Sequence, residues 1–199
     1  MHEKHDRNRR RFVAGMLTAG AAGLAAPYLP HPAAAQNSLQ PTPACDDGDE
    51  PAPPQTEGPF FTPNSPLRAS LRESGIAGTP IVLTGFVLTR SCRPLANALV
   101  DLWHADDAGT YDNEGYRLRG HQFTDAAGRY RFETIVPGLY PGRTRHFHIK
   151  YQAADQPVLT TQLYFPGEPD NARDGIFDAA LIMEVSGGTA RFDAVLDVE

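Results

Sequence analysis

The chain is short of several residue types and patterns that most directly announce a function. Only two of its 199 residues are cysteines, Cys45 and Cys92, so a disulfide-dense scaffold is excluded, and no Cys/His zinc spacing is present. Positive charge is in the minority, with 18 Lys and Arg against 24 Asp and Glu, and a net charge of −6 gives no electrostatic footprint for nucleic acid. Apolar runs are scarce too. Residues 12–30 alone could bury in a bilayer, and nothing after them could span a membrane as a helix, so no stable membrane anchor is expected. No H-E-x-x-H motif, internal repeat, low-complexity tract or βαβ alternation occurs. What remains, 41% apolar and 21% charged, is a globular composition for one domain or two small ones.

The N-terminus has the pattern of an export leader. Arg7, Arg9, Arg10 and Arg11 precede a weakly apolar Ala/Gly stretch that opens at Phe12, and Ala33-Ala34-Ala35 offers a small-residue cleavage site before Gln36. The pair Arg9-Arg10 resembles the twin-arginine signal, which carries folded proteins across the bacterial inner membrane, so the expected location is periplasmic or extracellular. The leader's five basic and two acidic side chains amount to +3, so removing residues 1–35 leaves 164 residues at −9. Two cysteines in an exported chain suggest a single disulfide.

Residues 36–66 form a proline-rich arm. Eight of the 18 prolines fall between residues 41 and 66, beside the acidic Asp46, Asp47, Asp49 and Glu50, which predicts an extended arm and no element of the core. Residues 67–199 follow a period of two. Ala190, Phe192, Ala194 and Leu196 alternate with Arg191, Asp193 and Asp197, as in a half-buried strand over 189–197. Gly187-Gly188 suits a two-residue hairpin back to a strand over 180–185. Further strands are expected over 81–89, 98–104, 129–134, 145–151 and 158–165, with turn signals between them. Only 65–74, with Ser65 as cap and Pro66 in the first turn, predicts a helix. The expected fold is an all-β antiparallel sandwich with long loops and little helix.

The densest set of candidate ligands is Tyr140-Pro141-Gly142-Arg143-Thr144-Arg145-His146-Phe147-His148. On a strand His146 and His148 share one face, while Phe147, Ile149 and Tyr151 share the other and can enter the core. Two adjacent imidazoles are natural cis metal ligands, and a surface histidine pair is the plain alternative. A second feature runs from Val100-Asp101-Leu102-Trp103-His104 through an acidic loop to Gly109-Thr110-Tyr111.

These two stretches, with Thr56-Glu57-Gly58-Pro59-Phe60-Phe61, Leu83-Thr84-Gly85-Phe86-Val87, Thr124–Phe132, Thr134–Tyr140 and Thr161-Gln162-Leu163-Tyr164-Phe165, occur in an order that resembles the intradiol ring-cleavage dioxygenases. The likeness extends over residues 56–166 and implies a β-sandwich holding non-haem Fe(III) through two tyrosinates and two histidines. Carried over by motif, the ligands fall on Tyr111, Tyr140, His146 and His148, with Tyr140 and His148 axial and Tyr111 and His146 equatorial beside a hydroxide. Arg143 and Gln162 fall beside the bound catechol. Two phenolates and a hydroxide would balance three positive charges, so the site buries no net charge. The implied reaction opens a catechol ring between its hydroxylated carbons with O2 to give cis,cis-muconates. Arg143 follows Tyr140 by three positions, where protocatechuate enzymes carry a longer insertion, and this compact form implies a shallow pocket tolerant of several catechols. Monomer and homo-oligomer both stay open.

Other residues read as structural. Trp103 and Phe132 are expected in the core, Tyr116, Tyr130, Tyr151 and Tyr164 in packing or turns, and His104 and His121 away from the metal. Two other classes compete: a non-catalytic secreted β-sandwich binding module, transthyretin-like or carbohydrate-binding, and a zinc or copper enzyme using His146 and His148 with a carboxylate. The leader carries a test of its own. Changing Arg9 and Arg10 together to Lys conserves charge yet should trap a folded precursor in the cytoplasm. Continued export of that variant would assign the chain to the general secretory route.

Overall fold

A computed structural model describes Cys45 and residues 50–199. The export leader expected over residues 1–35, and the arm residues 36–44 and 46–49, lie outside the described residues. Nine strands follow in chain order: β1 (Pro80–Leu88), β2 (Leu99–Trp103), β3 (Arg119–Phe123), β4 (Arg129–Ile135), β5 (His146–Gln152), β6 (Leu159–Tyr164), β7 (Glu184–Ser186), β8 (Thr189–Arg191) and β9 (Ala194–Val195). Two short 3-10 turns, Pro169–Ala172 and Ala179–Leu181, are the helical elements among the described residues, and no helix there is long and apolar enough to cross a membrane.

The strands form two sheets. One runs β4-β1-β8-β7, with β9 also pairing β1, and the other runs β3-β2-β5-β6. The sandwich is all-β as expected, and mostly antiparallel, but β8 and β9 both lie parallel to β1. Between the sheets sits one core, in which Leu83, Val100, Leu102, Phe132, Phe147, Ile149 and Leu163 are fully buried. β1 pairs on both edges and is buried along nearly its whole length, so it reads as a continuous apolar run instead of a strict alternation.

Several expectations need correction. Residues 65–74 form no helix. Arg68 N–H donates to His121 O and Leu71 N–H to Glu133 O, so this stretch bridges the β3 edge of one sheet and the β4 edge of the other. Tertiary hydrogen bonding to two open edges outweighs the local cap signal. The stretch 180–185 splits into the Ala179–Leu181 turn and β7. The strand expected over 189–197 breaks into β8 and β9 around Phe192-Asp193, where Asp193 Oδ1 accepts the Phe86 N–H. The Gly187-Gly188 hairpin does form, with φ of 56° and 79° and Ser186 opposite Thr189. β3 was not anticipated, because Arg119-Gly120-His121-Gln122 carries no apolar alternation. The described part of the arm has no strand, but it is not outside the core. Ala52 joins the apolar cluster, Ala52 N–H donates to Val195 O and Gln55 N–H to Thr160 O, which ties the arm to β9 and β6.

Cys45 and Cys92 are joined, with Cα atoms 5.6 Å apart across a sequence separation of 47. The bridge fastens the arm to the turn after β1, where Cys92 holds a positive φ of 58°. Replacing both cysteines with Ser should lower unfolding free energy by about 4 kcal/mol on the loop-entropy argument. Denaturant titration measures this, and free thiols found in denatured, unreduced protein would overturn the pairing.

Candidate metal centre

In the β3-β2-β5-β6 sheet, Arg119 pairs with Trp103, Trp103 with His148, and His148 with Gln162. Paired residues point to the same side, so these four form one row across the sheet. His146, opposite Tyr164, belongs to the next row on that side. Because Phe147, Ile149 and Leu163 occupy the core side, the row faces away from the other sheet. The expected split of β5 is therefore present.

That face is roofed by loops and by the arm. Tyr111 and Trp103 form a separate buried cluster against which Phe60, Phe61 and Tyr140 pack. Phe60 stacks on Tyr111 with ring centroids 4.6 Å apart and meets Tyr140 edge-on at 5.4 Å. Trp103 is buried as expected, but it lies on the site's side and stacks on His148 at 5.0 Å, whereas Phe132 is in the main core. The loops bearing Tyr111 and Tyr140 meet backbone to backbone. Gly138 N–H donates to Asp106 O at 2.7 Å, and a Cβ on Gly109 would lie 2.2 Å from Leu139 O. Any larger residue at Gly109 would force the two loops apart.

Three donor atoms converge inside. His146 Nε2 lies 3.1 Å from His148 Nε2 and 3.4 Å from Tyr111 Oη. His146 Nδ1 lies 2.6 Å from Thr144 O, which holds the ring proton on Nδ1 and turns the Nε2 lone pair inward. His148 Nδ1 is buried without a hydrogen-bond partner among the described residues. The Tyr140 ring is 6.0 Å from that of Tyr111 and half-buried. Burial lowers the His146 pKa to about 4 and that of His148 well below the ordinary value, so both rings are neutral. Burial also raises the Tyr111 pKa, against the opposing pull of the Arg143 and Arg119 charges. The inward Nε2 of His146, the facing Nε2 of His148 and the Tyr111 phenol, with the Tyr140 ring beside them, are a donor set suited to a hard, highly charged metal. Among the described residues no group of three or more His, Cys, Asp or Glu is placed to hold a metal, so no carboxylate completes the pair.

Arg143 and Gln162 are also together. Arg143 Nη2 donates to Gln162 Oε1 at 2.6 Å, and Gln162 Nε2 donates to Thr56 O at 2.9 Å, which sets the amide's direction from the arm. A cleft of about 410 Å³ opens beside Tyr140 and Arg143, lined also by Leu139, Thr144, Asp170 and Arg173.

The residues read as structural mostly are so. His104 is buried between Ala105 O and Thr134 Oγ1, His121 bonds Ser65 O, and Tyr130 and Tyr151 pair in the core. Tyr164 does more than pack, with its hydroxyl 3.2 Å from Gln162 Oε1. Arg119 was missed altogether. It is 1% exposed, donates through Nε and Nη2 to Asp112 O beside Tyr111, and has no hydrogen-bond partner for Nη1 among the described residues. Nothing but its place on the unforeseen β3 could have revealed it.

The family model described as Dioxygenase matches residues 56–197. The chain belongs to the intradiol dioxygenase family. Among its relatives, the protocatechuate 3,4-dioxygenase beta chain of Burkholderia cepacia is 39% identical over 118 residues, covering 50% of each chain. Catechol 1,2-dioxygenase 2 of Acinetobacter lwoffii is 32% identical over 162 residues, covering 65% of this chain and 59% of the relative. This chain thus spans 50% and 59% of the length of these two curated relatives. The dioxygenase domain of a dioxygenase carbohydrate-binding protein fusion from Streptomyces sp. SirexAA-E is 54% identical with a TM-score of 0.73, covering 75% of this chain and all of that one. Catechol 1,2-dioxygenase from Pseudomonas arvilla is 29% identical with a TM-score of 0.67, covering 74% of this chain and 62% of that one. The family generally uses non-haem Fe(III).

The neutral imidazoles make stability pH-dependent. In the unfolded chain a histidine takes its proton near 6.5, but His104 and His146 in the fold take theirs only near about 4. Between those values the unfolded state binds more protons, so acid favours unfolding. Melting temperature of the metal-free protein should fall as pH drops from about 7 to about 4, less steeply in His104→Gln, and a flat profile would show that the imidazoles are not buried neutral.

Proposed function

We propose that this chain is a non-haem Fe(III) intradiol dioxygenase that opens catechol rings between the two hydroxylated carbons, giving cis,cis-muconates. In this reading Tyr111, Tyr140, His146 and His148 hold the iron, Arg143 and Gln162 lie beside the ring, and a twin-arginine leader exports the folded protein. The observation that carries it is the convergence of His146 Nε2, His148 Nε2 and Tyr111 Oη within 3.1–3.4 Å on one sheet face, with Tyr140 on the facing loop. Bound there, Fe(III) would supply a Lewis-acidic, redox-active centre that binds the catecholate and makes its ring reactive toward O2.

The protein's own part follows from its groups. His146 and His148 stay neutral through the physiological range and offer lone pairs without a competing proton. Tyr140, half-buried and lining the cleft, is the donor that an arriving catechol meets first. Arg143 presents a fixed positive charge to negative charge developing on the ring, and Gln162, held by Thr56 O, fixes the guanidinium's height above the sheet. Phe60, Phe61 and Trp103 wall the donor atoms from solvent. One O2 is consumed per ring and both its atoms stay in the dicarboxylate, so no external reductant is required.

Purified protein should therefore carry about one iron per chain and show a visible charge-transfer band. Tyr111→Phe or Tyr140→Phe should shift or bleach that band, and His146→Ala or His148→Ala should lose the iron. Arg143→Ala should keep iron and colour while turnover falls by about 2–4 kcal/mol in barrier. Catechol or 4-methylcatechol in air should yield colourless muconates. A yellow semialdehyde, zinc in place of iron, or activity only with Fe(II) and ascorbate would overturn the assignment.

A further inference from the structure

The segment between β6 and the second 3-10 turn grips three consecutive residues ahead of His146. Arg145 Nε donates to Glu168 Oε1 at 2.7 Å, and Thr144 Oγ1 donates to Asn171 Oδ1 at 2.6 Å. At the far end, Asp174 Oδ2 accepts both Arg143 Nε at 2.8 Å and Thr144 N–H at 2.9 Å. Asp174 Oδ1 accepts the Ile176 N–H at 3.1 Å, so both carboxylate oxygens are engaged. The Asp174 side chain is 2% exposed and that of Arg143 is 20% exposed. The carboxylate is thus the buried anchor and the guanidinium the more exposed partner, and both residues line the cleft. Burial opposes the charge on Asp174, but the Thr144 and Ile176 N–H groups and the Arg143 guanidinium outweigh it and hold its pKa below the ordinary value.

We propose that Asp174 is the positioning residue for Arg143: its carboxylate holds the Nε edge of the guanidinium so that the terminal nitrogens point to Gln162 and to the substrate. An arginine side chain is long and freely rotating, and a cation helps a developing charge only if it is already in place. Asp174 fixes one edge, and Gln162 Oε1 receives Nη2. The same carboxylate oxygen holds the Thr144 N–H, and Thr144 O holds the His146 Nδ1 proton, so a single group aligns the arginine and the start of β5. This inference rests on the assignment of Arg143 to the substrate side of an intradiol site.

The test is a double-mutant cycle on the iron-loaded full chain. Asp174→Asn is nearly isosteric and removes the charge, while its amide oxygen can still accept the Thr144 N–H that aligns His146; it should keep iron content and the visible band while kcat falls about tenfold to a hundredfold. The dissociation constant of catechol under anaerobic conditions, followed by the visible band, should rise as well. In an Arg143→Ala background the same change should alter kcat less than about twofold, because its effect passes through the arginine. Should Asp174→Asn fail to fold, Asp174→Glu, which keeps the charge but displaces it, carries the same cycle. Full activity of Asp174→Asn beside a crippled Arg143→Ala would overturn the inference alone, as would additive losses in the double variant. Full activity of Arg143→Ala would overturn the inference together with the role given to Arg143.

Discussion

In β5 the pleat sends Phe147, Ile149 and Tyr151 into the sandwich, where each is fully buried, and turns His146 and His148 to the opposite face. A one-residue slip of this strand would put two imidazoles into an apolar core and three large apolar groups on the opposite face, so the register is enforced by burial on one side. The ladders to β2 and β6 then place Trp103 and Gln162 on either side of His148 without further instruction. The hydrophobic core and the candidate metal centre are two faces of the same few strands, and stability of the first is what holds the second in register.

The outer face of a sheet is normally wet, and a metal centre there needs a cover. Here most of the cover comes from residues far from both histidines in sequence, and Tyr140 alone stands near them. Phe60 and Phe61 arrive on the arm, and Tyr111 and Tyr140 arrive on two loops locked together at Gly109 and Gly138. Gln162 Nε2 binds Thr56 O, so the arm is tied to the site by hydrogen bonds as well as by packing. At its other end the Cys45–Cys92 bridge tethers the arm to the body of the sandwich.

The enclosed site is electrostatically incomplete as protein alone. Two histidines are kept neutral by burial, Tyr111 is held as a phenol, and the guanidiniums of Arg119 and Arg143 lie close enough to act on it. Arg119 finds the Asp112 carbonyl but no carboxylate among its hydrogen-bond partners. Anionic phenolates would offset those cations, and a tightly bound cation would make the phenolates stable. Arg143 differs from Arg119 in having a buried carboxylate, Asp174, on its far edge, which leaves it oriented instead of merely trapped.

Local pattern was enough for those parts that depend on local pattern. The two-residue repeat of β5, the Gly187-Gly188 turn, the separation of His146 and His148 from Phe147, and the ordered motifs that resemble the intradiol dioxygenases are all properties of neighbouring residues. The same local logic failed at 65–74, where a good helix cap was overridden by two sheet edges in need of hydrogen bonds, and at β3, whose Arg, Gly, His and Gln hide a strand that pairs through its backbone. It was silent on Arg119, which sits on that hidden strand, and on Asp174, whose partner lies far along the chain. Asp174 stands 31 residues from Arg143, and nothing in Asn171-Ala172-Arg173-Asp174-Gly175 signals a carboxylate that will be buried. Sequence alone determined which face an alternating strand such as β5 shows, because side-chain direction along a strand repeats every two residues. Tertiary structure alone decided which distant groups meet on that face, because burial and hydrogen-bond pairing are settled only once the sheets, loops and arm have closed on one another.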